Sequence, residues 1–369
     1  MSRARGGDPA RRIRARTISA MSAPPPRTAH PYAMHDAIVA PPDALRSVVP
    51  SNAAALDDAA ARLRATDLVI LCGIGTSWHA ALVGELLLAR VGALGHRVRA
   101  LHSFELASYW PAPPARAGVV AVSHRGSTQF SRTALAEAKR GGGVAITLTG
   151  KDAPRADGVD VALVTVDQEA SATHTASYTA ALALFAALAG RLGRDDTTAR
   201  ALARAPDQVA RLLGQESWDG LAHRFDDRRR YWFVGGGPNT ATAYEAALKM
   251  SEASHATASG FNCEQFLHGA YAAMTDEDLL VLIAPAGPSR ARCLDAARVA
   301  EAIGTPVLLL AHEAERDLRR FAAATVALPE IDELLSPIPA VVPLQLLAYH
   351  LAVRRGVNPD VMRLAEAPY

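Results

Sequence analysis

The residues best suited to moving a proton are Glu245, Lys249 and Glu252, within the run Ala243-Tyr244-Glu245-Ala246-Ala247-Leu248-Lys249-Met250-Ser251-Glu252. Their i, i+4, i+7 spacing puts them on one face of a helix. On an exposed helix this is an ordinary Glu–Lys pairing worth a few tenths of a kcal/mol. Two features point to chemistry instead. The helix follows the glycine turn Gly235-Gly236-Gly237-Pro238-Asn239-Thr240, and lysine is rare: among 39 basic residues, only Lys139, Lys151 and Lys249 are lysines. A sequence that otherwise writes arginine keeps a primary amine where guanidinium does not serve. Glu252 can act as a general base, with Lys249 holding it ionised or polarising a carbonyl or imine. Cys263-Glu264-Gln265-Phe266-Leu267-His268-Gly269 follows. His268 reads either as a satisfied structural histidine or as a general acid partnering that base.

A second constellation suits an anion. Gly73-Ile74-Gly75-Thr76-Ser77 follows the apolar run ending at Cys72, and Ser123-His124-Arg125-Gly126-Ser127-Thr128 follows Val122. Glycine lets backbone approach a phosphate, and the helix that follows aims its free N–H groups at it. Thr76, Ser77, Ser123, Ser127 and Thr128 add hydroxyl donors, and Arg125 adds a fork to phosphate oxygens. The same hydroxyls could instead cap helices. Two such turns after neighbouring strands favour phosphate. Neither turn has the lysine of a P-loop, and Gly73-Ile74-Gly75 lacks the third glycine of a dinucleotide fingerprint, so no nucleotide cofactor is expected.

These turns need strands to present them. Asp67 to Cys72, Val119 to Val122 and Val144 to Leu148 read as buried strands, with helices from Trp78 to about Val91 and up to about Arg140 between them. The second half repeats the order. Strands at Tyr231 to Val234, Leu279 to Ile283 and Val307 to Leu310 alternate with helices reaching about His255 and Ile303. Ser177 to Leu192 and Thr197 to Leu213 are helical joins, Pro343 to Arg354 is the last helix, and Asp360 to Tyr369 has no clear period. The pattern is a duplicated α/β unit with parallel sheets covered on both faces. Ligands in such sheets sit beyond the carboxyl ends of the strands. The second unit's turn at Ala284 to Gly287 is poor in hydroxyls, so one phosphate site is expected per chain, in the first unit.

Composition limits the rest. The net charge of the 369 residues is +2, too small to make the whole molecule a nucleic-acid magnet. No uninterrupted apolar run reaches the roughly 20 residues of a membrane span. Cys72, Cys263 and Cys293 are odd in number and scattered, without a CxxC pair, so neither a disulfide framework nor a metal site is implied, and a reducing, cytoplasmic setting fits. The arginine- and proline-rich start has no apolar core of a secretory signal and reads as a disordered extension.

Together the motifs GIGTS, SHRGST, EAALKMSE, EQFLHG and SPIPAVVPLQLLAYHLAVRRG with its NPD resemble the isomerase module of glucosamine-6-phosphate synthase, of the sugar isomerase (SIS) family. HPYAMHDAIVAPPDALRSVV is similar to that module's opening, and the likeness runs from about His30 to Leu364. It implies an α/β fold of two tandem doubly wound parallel-sheet SIS domains. Residues 1–30 would be the extension, 31–215 the first, phosphate-binding domain, and 216–369 the second domain with its tail. By matching position it implies Thr76, Ser77, Ser123 and Thr128 for the sugar phosphate, Glu252 for the C1–C2 proton, and Lys249 and Glu245 beside it. His268 would open the ring in the neighbouring subunit's site, which implies a homodimer. His124, Arg125 and Ser127 stand where the family more often has glutamine, serine and glutamate.

Two departures change the expected reaction. No cysteine precedes Cys72, so glutamine-dependent synthesis is not expected. The family's tail lysine is replaced: the tail reads Arg363-Leu364-Ala365-Glu366-Ala367, and no lysine follows Lys249. The expectation is an isomerase or deaminase acting on an amino-sugar or ketosamine phosphate, with no cofactor and no metal. A non-catalytic sugar-phosphate sensor and a simple aldose–ketose phosphate isomerase are the alternatives.

Overall fold

The structure, a computed structural model, describes residues 27–215 and 217–363. Three helices lead in: α1 (Ala33–Val39), α2 (Pro41–Ser51) and α3 (Ala53–Arg64). A first unit follows: β1 (Leu68–Gly73), α4 (Thr76–Arg90), β2 (Val98–His102), α5 (Ser103–Ser108), β3 (Ala117–Val122), α6 (Gln129–Arg140), β4 (Val144–Thr149), β5 (Val161–Val164) and α7 (Ala176–Gly193). Two joining helices, α8 (Asp196–Leu213) and α9 (Trp218–Arg224), lead into a second unit. It runs β6 (Tyr231–Gly235), α10 (Asn239–Ser254), β7 (Ala258–Asn262), α11 (Cys263–Leu267), β8 (Leu279–Ile283), α12 (Arg290–Ile303), β9 (Val307–His312), β10 (Ala322–Leu328) and α13 (Pro337–Arg354). Element for element, the two units have one order.

Each unit builds a five-stranded sheet, β2-β1-β3-β4-β5 and β7-β6-β8-β9-β10, with every pair parallel. The central strands are the apolar runs read from the sequence. The four strands that reading omits, β2, β5, β7 and β10, are the sheet edges. Edge strands are partly solvated, and segments such as Val98–His102 and Ala258–Asn262 lack the continuous apolar run of a buried strand.

The sheets face each other across a shared helical layer. Val69 and Leu71 of β1 join a core with α4, α7, α10 and α13, whereas Ile70 and Cys72 face α6 on the outer side. The second sheet has its own outer core against α11 and α12. Because α4 packs on α10, the start of the first unit's leading helix meets the middle of the second unit's. By length and composition α7 could span a membrane, but 83% of it is buried, so it serves here as a core helix.

Several expectations shift. The last helix begins at Pro337, not Pro343. A proline at the first helical position has no N–H to leave unpaired, and Pro343 is carried inside the helix. Most of the proposed disordered extension lies outside the described residues, but residues 27–30 do not behave as one. Arg27 pairs with Asp36, and His30 Nδ1 lies 2.7 Å from the Tyr349 hydroxyl. The tail from Leu364 onward, with Glu366, also lies outside the described residues.

Candidate functional site

β1 and β3 are neighbours whose crossovers leave in opposite directions, so a crevice opens beyond their carboxyl ends. Both hydroxyl turns empty into it. The first turn is shaped by glycine. Gly75 sits at φ +56°, where an L side chain is strained, and a Cβ on Gly73 would lie 2.4 Å from the backbone carbon of Ser77. Gly73→Val should therefore push α4 off the sheet, at about 1–3 kcal/mol for the overpacking. A thermal melt should show the loss.

The hydroxyls are not spent on caps. Neither α4 nor α6 has a side-chain cap at its N-terminus. A cleft of about 270 Å³ is lined by Thr76, Ser77, Ser123, Arg125, Ser127 and Thr128 from the first unit and by Lys249 and Glu252 from the second. Ser123 donates to Thr128 Oγ1 at 3.1 Å, leaving the Thr128 proton to point elsewhere. Arg125 is exposed at the mouth.

Thr76 lines the cleft, and its hydroxyl donates to Glu245 Oε1 at 3.1 Å, so its side chain also ties the two units together. Glu245 itself lies outside the cleft. It is fully buried beneath it, accepting from His79 Nδ1 at 2.7 Å and sitting 3.5 Å from Lys249 Nζ. Glu245 is thus a positioning residue. Lys249, 1% exposed, bonds to Glu252 on its other side.

This charge order sets the proton affinities. Burial alone would lift Glu245, but the Lys249 charge and the bonds from His79 and Thr76 hold it below the usual carboxylate value. Burial would lower Lys249, but two carboxylates keep it above 10.5 and charged. Burial dominates at Glu252 and raises it despite the Lys249 contact. Of the two glutamates, the one lining the cleft is the better proton acceptor, as a general base requires.

His268 is not part of this cleft within one chain. Its side chain is 71% exposed, its Nδ1–H donates to the Glu264 carbonyl at 2.8 Å, and it pairs with the Glu264 carboxylate.

Sequence reasoning missed the cleft's third wall, the loop between β5 and α7, because it missed β5. Glu169 there accepts from the N–H groups of Thr175, Ala176 and Ser177 at 2.8, 3.2 and 2.9 Å. It thereby closes the N-terminus of α7. Burial would raise Glu169, but these bonds keep it below its usual value. His174 lines the cleft, and its Nε2 is buried without a protein partner. Burial depresses it to about 4, so it is neutral at neutral pH. His124 packs edge-on against it at 5.0 Å. His124 Nε2 accepts from the Glu169 N–H and its Nδ1 faces Thr165 Oγ1, which fixes the Nδ1–H tautomer. Reading the carboxyl end of β5 as a third ligand-facing turn would have found this loop.

The corresponding edge of the second unit is unsuited to an anion. Glu333 Oε1 accepts from Ser289 at 2.5 Å, and a Cβ on Gly287 would lie 2.3 Å from Glu333 Oε2. A carboxylate already occupies that turn. Among the described residues, no group of three or more His, Cys, Asp or Glu is arranged to hold a metal ion.

The SIS domain family profile matches residues 225–355. An SIS domain therefore lies in the second half of the chain. The chain is 31% identical over 351 residues to glutamine–fructose-6-phosphate aminotransferase (isomerizing) of Thermococcus kodakarensis, an alignment covering 91% of this chain and 58% of that protein. The chain thus spans little more than half the length of that curated relative. Its fold matches the C-terminal domain of glucosamine-fructose-6-phosphate aminotransferase from Francisella tularensis with a TM-score of 0.82 at 19% identity, covering 90% of this chain and 99% of that one. Glucosamine-6-phosphate deaminase of Thermotoga maritima matches with a TM-score of 0.71 at 19% identity, over 90% and 97%.

Proposed function

We propose that this protein is an enzyme that transfers a proton between C1 and C2 of an amino-sugar or ketosamine phosphate, isomerising or deaminating it. The observation carrying this reading is that Ser123, Ser127, Thr128 and Arg125 share one cleft with Lys249 and Glu252. The hydroxyl turns and Arg125 take the phosphate. That fixes the far end of the sugar and brings its first carbons to Glu252, the positioning on which proton transfer depends. Glu252 removes the C2 or C1 proton, and Lys249 stabilises the negative charge that develops. The relatives whose printed names include isomerizing aminotransferases and a glucosamine-6-phosphate deaminase support the substrate class.

Deamination is favoured over amine transfer by the state of Lys249. It is clamped between two carboxylates and charged, so it is a poor nucleophile for making an imine. A substrate that brings its own amine needs no such step. His268, exposed and not among the residues lining its own chain's cleft, would complete the site of a second copy in a homodimer. We place the boundary between the two SIS units at 215/216.

The test uses purified protein with glucosamine-6-phosphate and ketosamine phosphates in deuterated water. Deuterium entering C2, or ammonia or amine release, is the expected result, and Arg125→Ala should raise KM about tenfold or more. A sugar-phosphate-induced rise in Tm with neither deuterium uptake nor amine release would show a sensor instead.

A further inference from the structure

We infer that Cys263 and Cys293 form a redox-active dithiol, oxidised by small peroxides to a disulfide that ties α11 to α12. Their Sγ atoms are 3.4 Å apart, in contact but unbonded, although 30 positions separate them in the sequence. Cys263 opens α11 directly after β7, and Cys293 stands in the first turn of α12. Both are buried against the second sheet's outer core.

The elements carrying them are already aligned. The residues next to the thiols, Glu264 and Arg292, bond across the same gap, with Arg292 Nη2 3.2 Å from Glu264 Oε2. Closing the sulfurs to bonding distance, about 2.05 Å, needs a shift of little over an ångström between elements held on both sides of the join. Cys72 provides the contrast. It is buried without a second thiol, and burial pushes it up to about 11, so it is unreactive. The hydrogen bond from Cys293 instead holds Cys263 below the usual thiol value. That makes Cys263 the better nucleophile of the pair.

The chemistry balances with hydrogen peroxide as oxidant. The Cys263 thiolate attacks one peroxide oxygen, the O–O bond breaks, and hydroxide leaves, taking a proton to become water. Cys263 is then a sulfenic acid. The Cys293 sulfur displaces that hydroxyl, the S–S bond forms, and a second water leaves with the Cys293 proton. Two electrons pass from the two thiols to the peroxide. Because α11 runs into His268, the bond would fix the segment that presents this exposed histidine.

The test is thiol counting on the full chain. After hydrogen peroxide treatment and quenching, alkylation under denaturing conditions should label one thiol per chain, Cys72. A proteolytic fragment should join the Cys263 and Cys293 peptides, and reduction should restore three thiols. Cys293→Ala should abolish the cross-link and stop Cys263 at the sulfenic acid, trapped by dimedone, with Cys72 left as the free thiol. Cys263→Ala should leave Cys72 and Cys293 free, and guards against one variant failing to fold. Three labelled thiols after peroxide, a sulfinic acid without a cross-link, or a bond between chains would overturn the inference.

Discussion

Glu252→Gln is expected to lower kcat by about 10²–10⁴-fold, the usual loss when a general base is removed, while sugar phosphate still raises Tm as in wild type. The substitution keeps the size of the side chain and removes its charge and its capacity to take a proton, while Glu245 remains to pair with Lys249. The phosphate contacts lie on other elements, in the turns after β1 and β3, so binding should survive. The pH profile carries a second signature. Glu252 must be ionised to act, and burial raises its pKa above the usual carboxylate value. The acid limb of kcat/KM for wild type should thus fall at a higher pH than for an ordinary glutamate, and the residual rate of Glu252→Gln should lack that limb. Unchanged turnover in the variant, or loss of the ligand-induced Tm shift, would remove Glu252 from its assigned role.

The grouping of the three charged residues was legible in the sequence because helical spacing is a local property. Glu245, Lys249 and Glu252 share a face by arithmetic, and the turns at Gly73 and Ser123 announce themselves by glycine and hydroxyl content. What the sequence could not show was which carboxylate would be beneath the cleft and which would line it. That depends on α4 meeting α10, a contact between residues more than 150 positions apart, as Thr76 and Glu245 show. The edge strands were hidden for a different reason. A half-solvated strand such as Val161–Val164 is short and not uniformly buried, so the apolar-run criterion passes over it. Losing β5 also lost the loop with Glu169 and His174, since a turn is recognised as ligand-facing only once the strand before it is known.

Lys249→Met is expected to destabilise the protein by about 3–5 kcal/mol, the cost of stranding a buried charge, or a fall in Tm of roughly 10 °C. Lys249 is the cation between Glu245, which is wholly buried, and Glu252. The signs follow from the shifts. Glu245 is held below its usual value, so its contribution is present above the ordinary carboxylate range and is lost as pH falls through its folded pKa. Lys249 is raised, so its contribution is present below 10.5 and is lost only as pH climbs past its higher folded pKa. Between those limits wild type keeps the Glu245–Lys249 pair charged. In Lys249→Met the chief force holding Glu245 down is gone, and its pKa should rise with burial unopposed by that charge. Protonation then relieves the stranded carboxylates, so the Tm gap between variant and wild type should narrow as the pH falls toward the carboxylate range. A gap independent of pH would mean that the lysine acts by packing its methylenes and not by its charge. Glu245→Gln combined with Lys249→Met should be less destabilised than Lys249→Met alone, because the same substitution that removes the cation's partner removes the charge left without one.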